Sequence, residues 1–249
     1  MRILLAGESW TTHMIHVKGF DTFTSSEYVE GAGELIDGLR AAGHELDYLP
    51  GQEVSTKFPT AADDLRRYDA VIVSDVGANS FLISRETFNR SRPEPNRLGA
   101  LAEYVEGGGG LLMIGGYLSF SGIDGKARYG RSPLAPVLPV ALLDRDDRVE
   151  VPEGIAPEVV LAEHPALAEV PVGDWPTLLG YNQVEPREGT KLLARVGDDP
   201  LLAVATVGAG RSAAFTSDLA PHWAPSEFMR WDGYMPLWLG VLAWVAGER

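Results

Sequence analysis

Four short polar segments of the chain each follow an apolar run and contain side chains that could carry chemistry. In chain order they contribute Glu8, Ser9, Trp10 and His13, then Asp75 and Asn79, then Tyr117 and Ser119, and finally Asp218 and His222. Carboxyl, imidazole and phenol groups can transfer protons. We therefore expect Tyr117, His222 and Asp218 to be the catalytic candidates, and the other residues to be ligand-binding candidates.

Tyr117 occupies the tightest turn that the sequence predicts. It follows Gly115 and Gly116 after the apolar run 111–114, and such a glycine pair permits a sharp strand-to-helix turn. A phenol held there could contact a ligand, fill the pocket as a plug, or act as an acid or base. A neutral tyrosine is a poor acyl nucleophile at pH 7, and Ser119 lies two residues beyond the apex.

His222 and Asp218 lie close in sequence and could form an acid–base pair that shares one pocket with Tyr117. A histidine between Pro221 and Trp223 could also be a packed loop residue. His13 and His16, with Asp21 downstream, could bind a metal, but the threonines and glycine around them favour a loop. We therefore predict no metal. The glycine run 107–110 is not a phosphate-binding loop, since it precedes its strand and no Gly-Lys-Ser/Thr follows it, and no cofactor is predicted.

Short apolar runs alternate with segments of helical periodicity over the first half of the chain. The predicted strands are 3–6, 44–49, 70–73 and 111–114, and the predicted helices are 31–42, 61–67 and 96–105. Apolar strands separated by helices favour a flavodoxin-like, doubly wound α/β/α fold with a mostly parallel sheet. Ligands bind such sheets beyond the carboxyl ends of the strands, which is where the four polar segments fall.

The second half of the chain has a different character. Prolines and acidic residues are frequent in 133–186, which predicts an insertion or a β-rich antiparallel extension of a single domain spanning 1–249. The alternation from Arg148 to Val151 is typical of an exposed or edge strand. Three further strands (191–196, 201–207 and 211–215) and a final helix (235–246) are predicted after it.

Composition excludes several classes of function. A formal net charge of -14 and a pI near 4.7 oppose binding to nucleic acids or anionic membranes. The chain has no cysteine, which excludes disulfides, Cys-ligated zinc and thiol catalysis. The first residues enter a strand without a signal-peptide pattern, so a cytoplasmic protein is expected.

The segments 7–13, 16–21, 74–79 and 215–223 resemble a bacterial family of class I glutamine amidotransferase-like proteins, and the resemblance covers essentially the whole chain. In the resembled enzymes the turn reads Gly-x-Cys-x-Gly and its cysteine is the nucleophile; here that position is Tyr117. His222 falls in the region of the triad histidine, but Glu227 lies farther along the chain than the acid of those enzymes. The resemblance implies the fold without the glutaminase reaction.

Two functions remain open on the sequence. One is an amidotransferase-like protein without glutaminase activity that binds or transforms a small polar ligand, such as a carbohydrate or an amide. The other is a non-catalytic binding or assembly protein that uses the fold as a scaffold. A homo-oligomer is also expected, with its interface formed by the aromatic segment His222, Trp223, Phe228, Trp231, Tyr234 and Trp238.

Overall fold

The computed structural model describes residues 1–173 and 175–248, which are built around an eight-stranded sheet. In spatial order its strands are β4 (Glu45–Leu49), β1 (Arg2–Gly7), β5 (Ala70–Ser74), β6 (Gly110–Ile114), β14 (Gly210–Phe215), β13 (Asp199–Val207), β12 (Lys191–Val196) and β9 (Glu158–Val159). The strands from β4 to β14 are parallel, and the last three run antiparallel to their neighbours. This confirms the mostly parallel α/β sheet predicted from the sequence.

Helices cover both faces of the sheet. One face packs against α1 (Gly33–Ala41) and α8 (Tyr234–Val245), and the other packs against α2 (Gly51–Lys57), α3 (Ala62–Leu65), α4 (Ala78–Leu82) and α6 (Arg97–Glu106). Two further short helices are α5 (Arg85–Arg90) and α7 (Ser226–Met229). Strands β5 and β6 are buried along their whole length because both of their faces are covered, which explains their apolar sequences. The three-layer prediction is therefore confirmed.

Antiparallel strand pairs occupy the segment 133–186. Strand β8 (Arg148–Ile155) pairs with β10 (Leu178–Asn182), and β7 (Val140–Leu142) pairs with β11 (Val184–Pro186). The alternating residues at the start of β8 belong to a two-stranded pair, in which each strand is an edge strand, and this confirms the predicted edge strand. This pair brings new side chains to the turn after β6.

A long two-stranded ribbon, here called the arm (residues 9–30), projects from the carboxyl edge of the sheet. It consists of β2 (Ser9–Lys18) and β3 (Asp21–Glu30), paired antiparallel over their full length through a turn at Gly19 and Phe20. The prediction of a loop around His13 and His16 is therefore wrong. Threonine is a turn former but also a β-branched residue that favours strands, and the second property prevails here.

The aromatic residues near the C-terminus lie inside the subunit. Trp223, Phe228, Tyr234 and Trp238 are each at most 3% exposed. The prediction that these four rings form an oligomer interface is wrong, because they pack within the subunit, where Trp238 contacts Phe215. Within the described residues, no helix combines the length and the apolarity needed to cross a membrane.

Candidate functional site

Tyr117 lies on the turn directly after β6, near the middle of the sheet. Gly116 adopts φ +137°, and a Cβ atom there would lie 2.7 Å from Asp75 Oδ1, so this turn requires glycine. The Tyr117 ring centroid lies 5.6 Å from that of His222 and 5.5 Å from that of Trp223. The prediction that Tyr117 and His222 lie together is confirmed.

The Tyr117 hydroxyl is already engaged in a polar contact. It donates a hydrogen bond of 2.9 Å to Glu150 Oε1, and the Trp223 indole N–H donates one of 3.0 Å to Glu150 Oε2. The Arg148 guanidinium carbon lies 4.8 Å from the Tyr117 ring centroid. Partial burial, together with the Glu150 carboxylate, raises the pKa of Tyr117. Tyr117 is therefore a neutral hydrogen-bond donor and not a base.

Sequence reasoning missed Arg148 and Glu150. Their spacing in β8 places both side chains on one face of the strand, which the alternating pattern could show. Nothing in the sequence indicates that this face meets Tyr117, because the contact joins segments that are far apart in the chain. The sequence likewise gives no sign that Trp223 is a partner of Glu150.

His222 has a buried acid behind it. Its Nδ1 lies 3.8 Å from Asp218 Oδ2, which is longer than a hydrogen bond, and its ring centroid lies 5.0 Å from that of Trp10. Asp218 Oδ1 accepts hydrogen bonds from the backbone N–H groups of Leu219 and Ala220. Glu227 is exposed on α7. The acid that accompanies His222 is therefore Asp218, which precedes it in the chain.

Glu8 is a second fully buried acid at this edge. Its Oε2 accepts a hydrogen bond of 2.6 Å from Ser74 Oγ, and a Cβ atom on Gly31 would lie 2.8 Å from its Oε1. Neither Glu8 Oε1 nor Asp218 Oδ2 finds a hydrogen-bond partner among the described residues. A buried carboxylate oxygen without a hydrogen-bond partner costs free energy when it carries charge. Burial therefore favours the protonated form of both carboxyl groups.

The carboxyl groups at this edge affect one another. Burial raises the pKa of Glu8 well above its usual range, and the nearby acids Asp218 and Asp75 raise it further. Burial likewise raises the pKa of Asp218 well above its usual range, with Asp75 as the second cause. We define Glu8, Asp75 and Asp218 as the acid cluster, which retains protons at a pH where ordinary carboxyl groups have lost them.

Backbone strain accompanies the acid cluster. Glu8 and Asp75 follow β1 and β5 with φ of +50° and +40°, a left-handed conformation that costs about 1–3 kcal/mol in a residue other than glycine. Asp75 Oδ1 accepts a hydrogen bond of 2.6 Å from the Leu118 N–H, and the Asp75 N–H donates to Ser119 Oγ. These bonds hold the strained residue against the Tyr117 turn.

Three of the predicted ligand-binding residues do not face the space beside Tyr117 and His222. Ser119 is fully buried and donates its hydroxyl to the Ile114 carbonyl, so it stabilises the turn from within and does not face the pocket. Asn79 is exposed in α4. His13 is exposed on the arm, about 10 Å along the strand from Trp10, where its Nδ1 contacts Ser26 Oγ. The prediction that His13 lines the pocket is wrong.

The remaining predicted ligand-binding residues, Ser9 and Trp10, lie at the base of the arm. Ser9 Oγ accepts a hydrogen bond from the Gly51 N–H, and Trp10 contacts His222. His13 and His16 alternate to opposite faces of β2, so they cannot ligate one ion together. Across the described residues, no group of three or more histidine and carboxylate side chains has the arrangement of a metal centre.

A buried aspartate, Asp147, joins the antiparallel extension to the Tyr117 turn. Its carboxylate accepts hydrogen bonds from the N–H groups of Ser121 and Gly122 and from Asn182 Nδ2, each 2.8 Å long. Asn182 Oδ1 in turn accepts a hydrogen bond from the Gly116 N–H. This chain of contacts fixes the turn that presents Tyr117. A separate cavity of about 410 Å³ is lined by Arg128, Arg131 and other residues outside the acid cluster.

A doubly wound sheet, a glycine-bounded turn after its central strand and a histidine after its last parallel strand are together typical of an amidotransferase-like α/β protein. The chain belongs to the family described as "Putative glutamine amidotransferase", whose model matches residues 2–247. Among proteins with curated functions, none matches this sequence.

Solved structures agree with this assignment. Cytoplasmic protein STM3548 from Salmonella typhimurium is 48% identical, with a TM-score of 0.95 over 98% of this chain and 99% of that one. Cytoplasmic protein STM1381 from Salmonella typhimurium LT2 is 47% identical, with a TM-score of 0.94 and the same coverage of both chains. A ThuA-like protein from Bacteroides uniformis, 14% identical with a TM-score of 0.58 over 98% of this chain and 90% of that one, shares the fold alone.

Proposed function

We propose that this protein binds a small, uncharged polar ligand beside Tyr117 and His222 and that it does not hydrolyse glutamine. The observation that supports this proposal is the acid cluster directly behind an exposed histidine, since His222 is 41% exposed while Asp218 is completely buried. Perturbed carboxyl groups at the carboxyl edge of a parallel sheet are typical of functional sites.

The glutaminase reaction requires a thiolate to form a glutamyl thioester, and this chain has no cysteine. Tyr117 does not substitute for it, because its phenol is neutral and donates to Glu150. Ser119 does not substitute either, because its hydroxyl is buried in the turn. These contacts argue against covalent acyl transfer.

Acid–base chemistry is compatible with the geometry. His222 Nδ1 lies 3.8 Å from Asp218 Oδ2, and a small shift would bring the two groups into hydrogen-bond contact. The surrounding carboxyl groups disfavour an anionic ligand. We therefore propose a neutral hydroxyl-bearing or amide-bearing ligand, in the class of carbohydrates or simple amides.

The alternative is a binding or assembly protein without catalysis. The packing of Tyr117 favours it, since the ring fills the space between His222 and Trp223 and its hydroxyl is satisfied by Glu150. Tyr117 then acts as a plug at the nucleophile position. Two relatives are described as cytoplasmic proteins, and we propose the same compartment for this chain.

Tryptophan fluorescence tests ligand binding, because Trp10 and Trp223 both flank the site. We expect a saturable change in emission with D-glucose or acetamide, and its loss in His222→Gln. His44→Gln is the matched control, since His44 precedes β4 at the opposite end of the strands. Absence of a saturable change with both probes, or equal binding by His222→Gln and the native protein, would contradict the proposal.

A further inference from the structure

The cavity of about 410 Å³ lies between two segments of the chain that are far apart in sequence. One wall belongs to the loop 121–131, which follows the Tyr117 turn, and the other to residues 142–145, which lead from β7 towards β8. Three arginines line it, namely Arg128, Arg131 and Arg145, and we call it the arginine cavity. Its volume is in the range of sites that hold small molecules.

Buried hydrogen bonds hold the two walls of the arginine cavity together. The Ser121 hydroxyl of one wall donates to the Leu143 carbonyl of the other. Behind them, the buried Asp147 carboxylate accepts hydrogen bonds from the Ser121 and Gly122 N–H groups. The cavity is therefore preformed, so that a ligand would need little reorganisation of the backbone to bind.

The carboxylates that line the arginine cavity are already paired with cations. Arg131 Nη2 donates to both carboxylate oxygens of Asp144, each at 3.1 Å. Asp124 lies 2.7 Å from the Lys126 ammonium. Neither acid is therefore left to neutralise the two other arginines of the cavity.

Arg128 and Arg145 have no acidic partner. Among residues 1–173 and 175–248, neither guanidinium forms an ion pair with a carboxylate, and Arg145 donates to the neutral side-chain amide of Gln183. This is unexpected in a chain with 35 Asp and Glu residues against 21 Lys and Arg residues. The two unpaired guanidinium groups leave the cavity with a local positive charge.

We propose that the arginine cavity binds a small organic phosphate, with a doubly charged phosphate group and an apolar body. Guanidinium groups bind phosphate oxygens through strong charge-assisted hydrogen bonds, and two such groups match the charge of a phosphate dianion. Leu142 and Leu143 line the same cavity and provide apolar surface for the rest of the ligand. This site is distinct from the one beside Tyr117, where the acid cluster disfavours an anion.

The charge of the whole chain favours a small phosphate over a polyanion. A nucleic acid would extend far beyond the cavity and would meet the repulsion of a formal net charge of -14. A single phosphate group interacts mainly with the arginines close to it, because salt screens charges beyond about 10 Å.

Isothermal titration calorimetry with phenyl phosphate tests the proposal, at constant ionic strength and in a buffer without phosphate. The native protein is expected to bind phenyl phosphate saturably and inorganic phosphate more weakly, because inorganic phosphate lacks the apolar body. Benzoate, with a single charge, is expected to bind more weakly than phenyl phosphate. Absence of saturable binding of phenyl phosphate up to about 10 mM would overturn the proposal, as would equal affinity for phenyl phosphate and benzoate.

Replacing the unpaired arginines tests where phenyl phosphate binds. Arg128→Gln and Arg145→Gln are each expected to weaken its binding about tenfold, the typical effect of one charge-assisted hydrogen bond. Arg85→Gln is the matched control, because Arg85 is exposed on α5 outside the cavity and the substitution changes the net charge equally. His222→Gln should also bind normally, which separates this site from the one beside Tyr117. Native affinity in both cavity variants would overturn the proposal.

Asp144→Asn provides a test in the opposite direction. It releases Arg131 from its ion pair, so phenyl phosphate is expected to bind about threefold more tightly, an effect that a purely structural role of the arginines would not produce. Asp63→Asn is the matched control, since it breaks an exposed ion pair with Arg66 outside the cavity. Weaker binding by Asp144→Asn than by Asp63→Asn would overturn the proposal.

Discussion

Replacing Glu8 with glutamine is expected to weaken the pH dependence of the free energy of unfolding. Glu8 and Asp218 are completely buried and have pKa values raised well above their usual range. Between the unfolded pKa, near 4, and the higher folded pKa, each folded carboxyl group binds a proton that the unfolded chain has lost. Stability from these groups is therefore complete below pH 4 and is lost as the pH rises through the folded pKa.

The magnitude follows from proton linkage. Each group lowers the free energy of unfolding by about 1.4 kcal/mol per pH unit within this window, so the two together contribute up to about 2.7 kcal/mol per unit. Glu8→Gln removes one of these two proton-binding groups. The slope of the variant should fall by about half.

Urea unfolding at pH 5, 6, 7 and 8, at one fixed protein concentration, measures this slope. Glu34→Gln is the matched control, because Glu34 is exposed in the first turn of α1 and the substitution changes the net charge equally. The control should keep the native slope. Equal slopes for Glu8→Gln and the native protein would refute the reasoning, because they would show that Glu8 is ionised in the folded state throughout this range.

Three further outcomes are expected. Incubation with L-glutamine should release no ammonia above a heat-denatured control, and genuine turnover would contradict the absence of a nucleophile. Asp147→Asn should lower the free energy of unfolding by about 3 kcal/mol in a urea titration, because the buried Asp147 carboxylate accepts three hydrogen bonds. The control Asp144→Asn should change this free energy little, because Asp144 is exposed. Tyr117→Phe should cost less than about 1 kcal/mol by the same assay, because its hydrogen bond to Glu150 is partly exposed; a larger loss would show that the turn depends on it.

The sequence predicts the centre of this fold well because its strands are buried on both faces. β5 and β6 are continuous apolar runs, which the sequence identifies as buried strands. Ligand-binding residues of such sheets follow the strands, and this rule correctly predicts that Tyr117 and His222 lie together. Local pattern and global fold agree at these positions.

Local patterns do not predict the rest of the site, for two reasons. The pairing of Glu150 with Tyr117 depends on where the antiparallel extension docks, which periodicity within β8 does not specify. Glu8 was recognisable as a polar residue after a strand, but its complete burial depends on Gly31 and on the chain around it. The arm was missed because threonine-rich segments fit both turns and exposed strands.

Crystals soaked separately in D-glucose and in acetamide test the central claim most directly. The account predicts ordered density for at least one of the two probes within hydrogen-bond distance of His222 or the Tyr117 hydroxyl, with the acid cluster behind it. Density confined to other places, such as the cavity lined by Arg128 and Arg131, would contradict a ligand site at the carboxyl edge of the sheet.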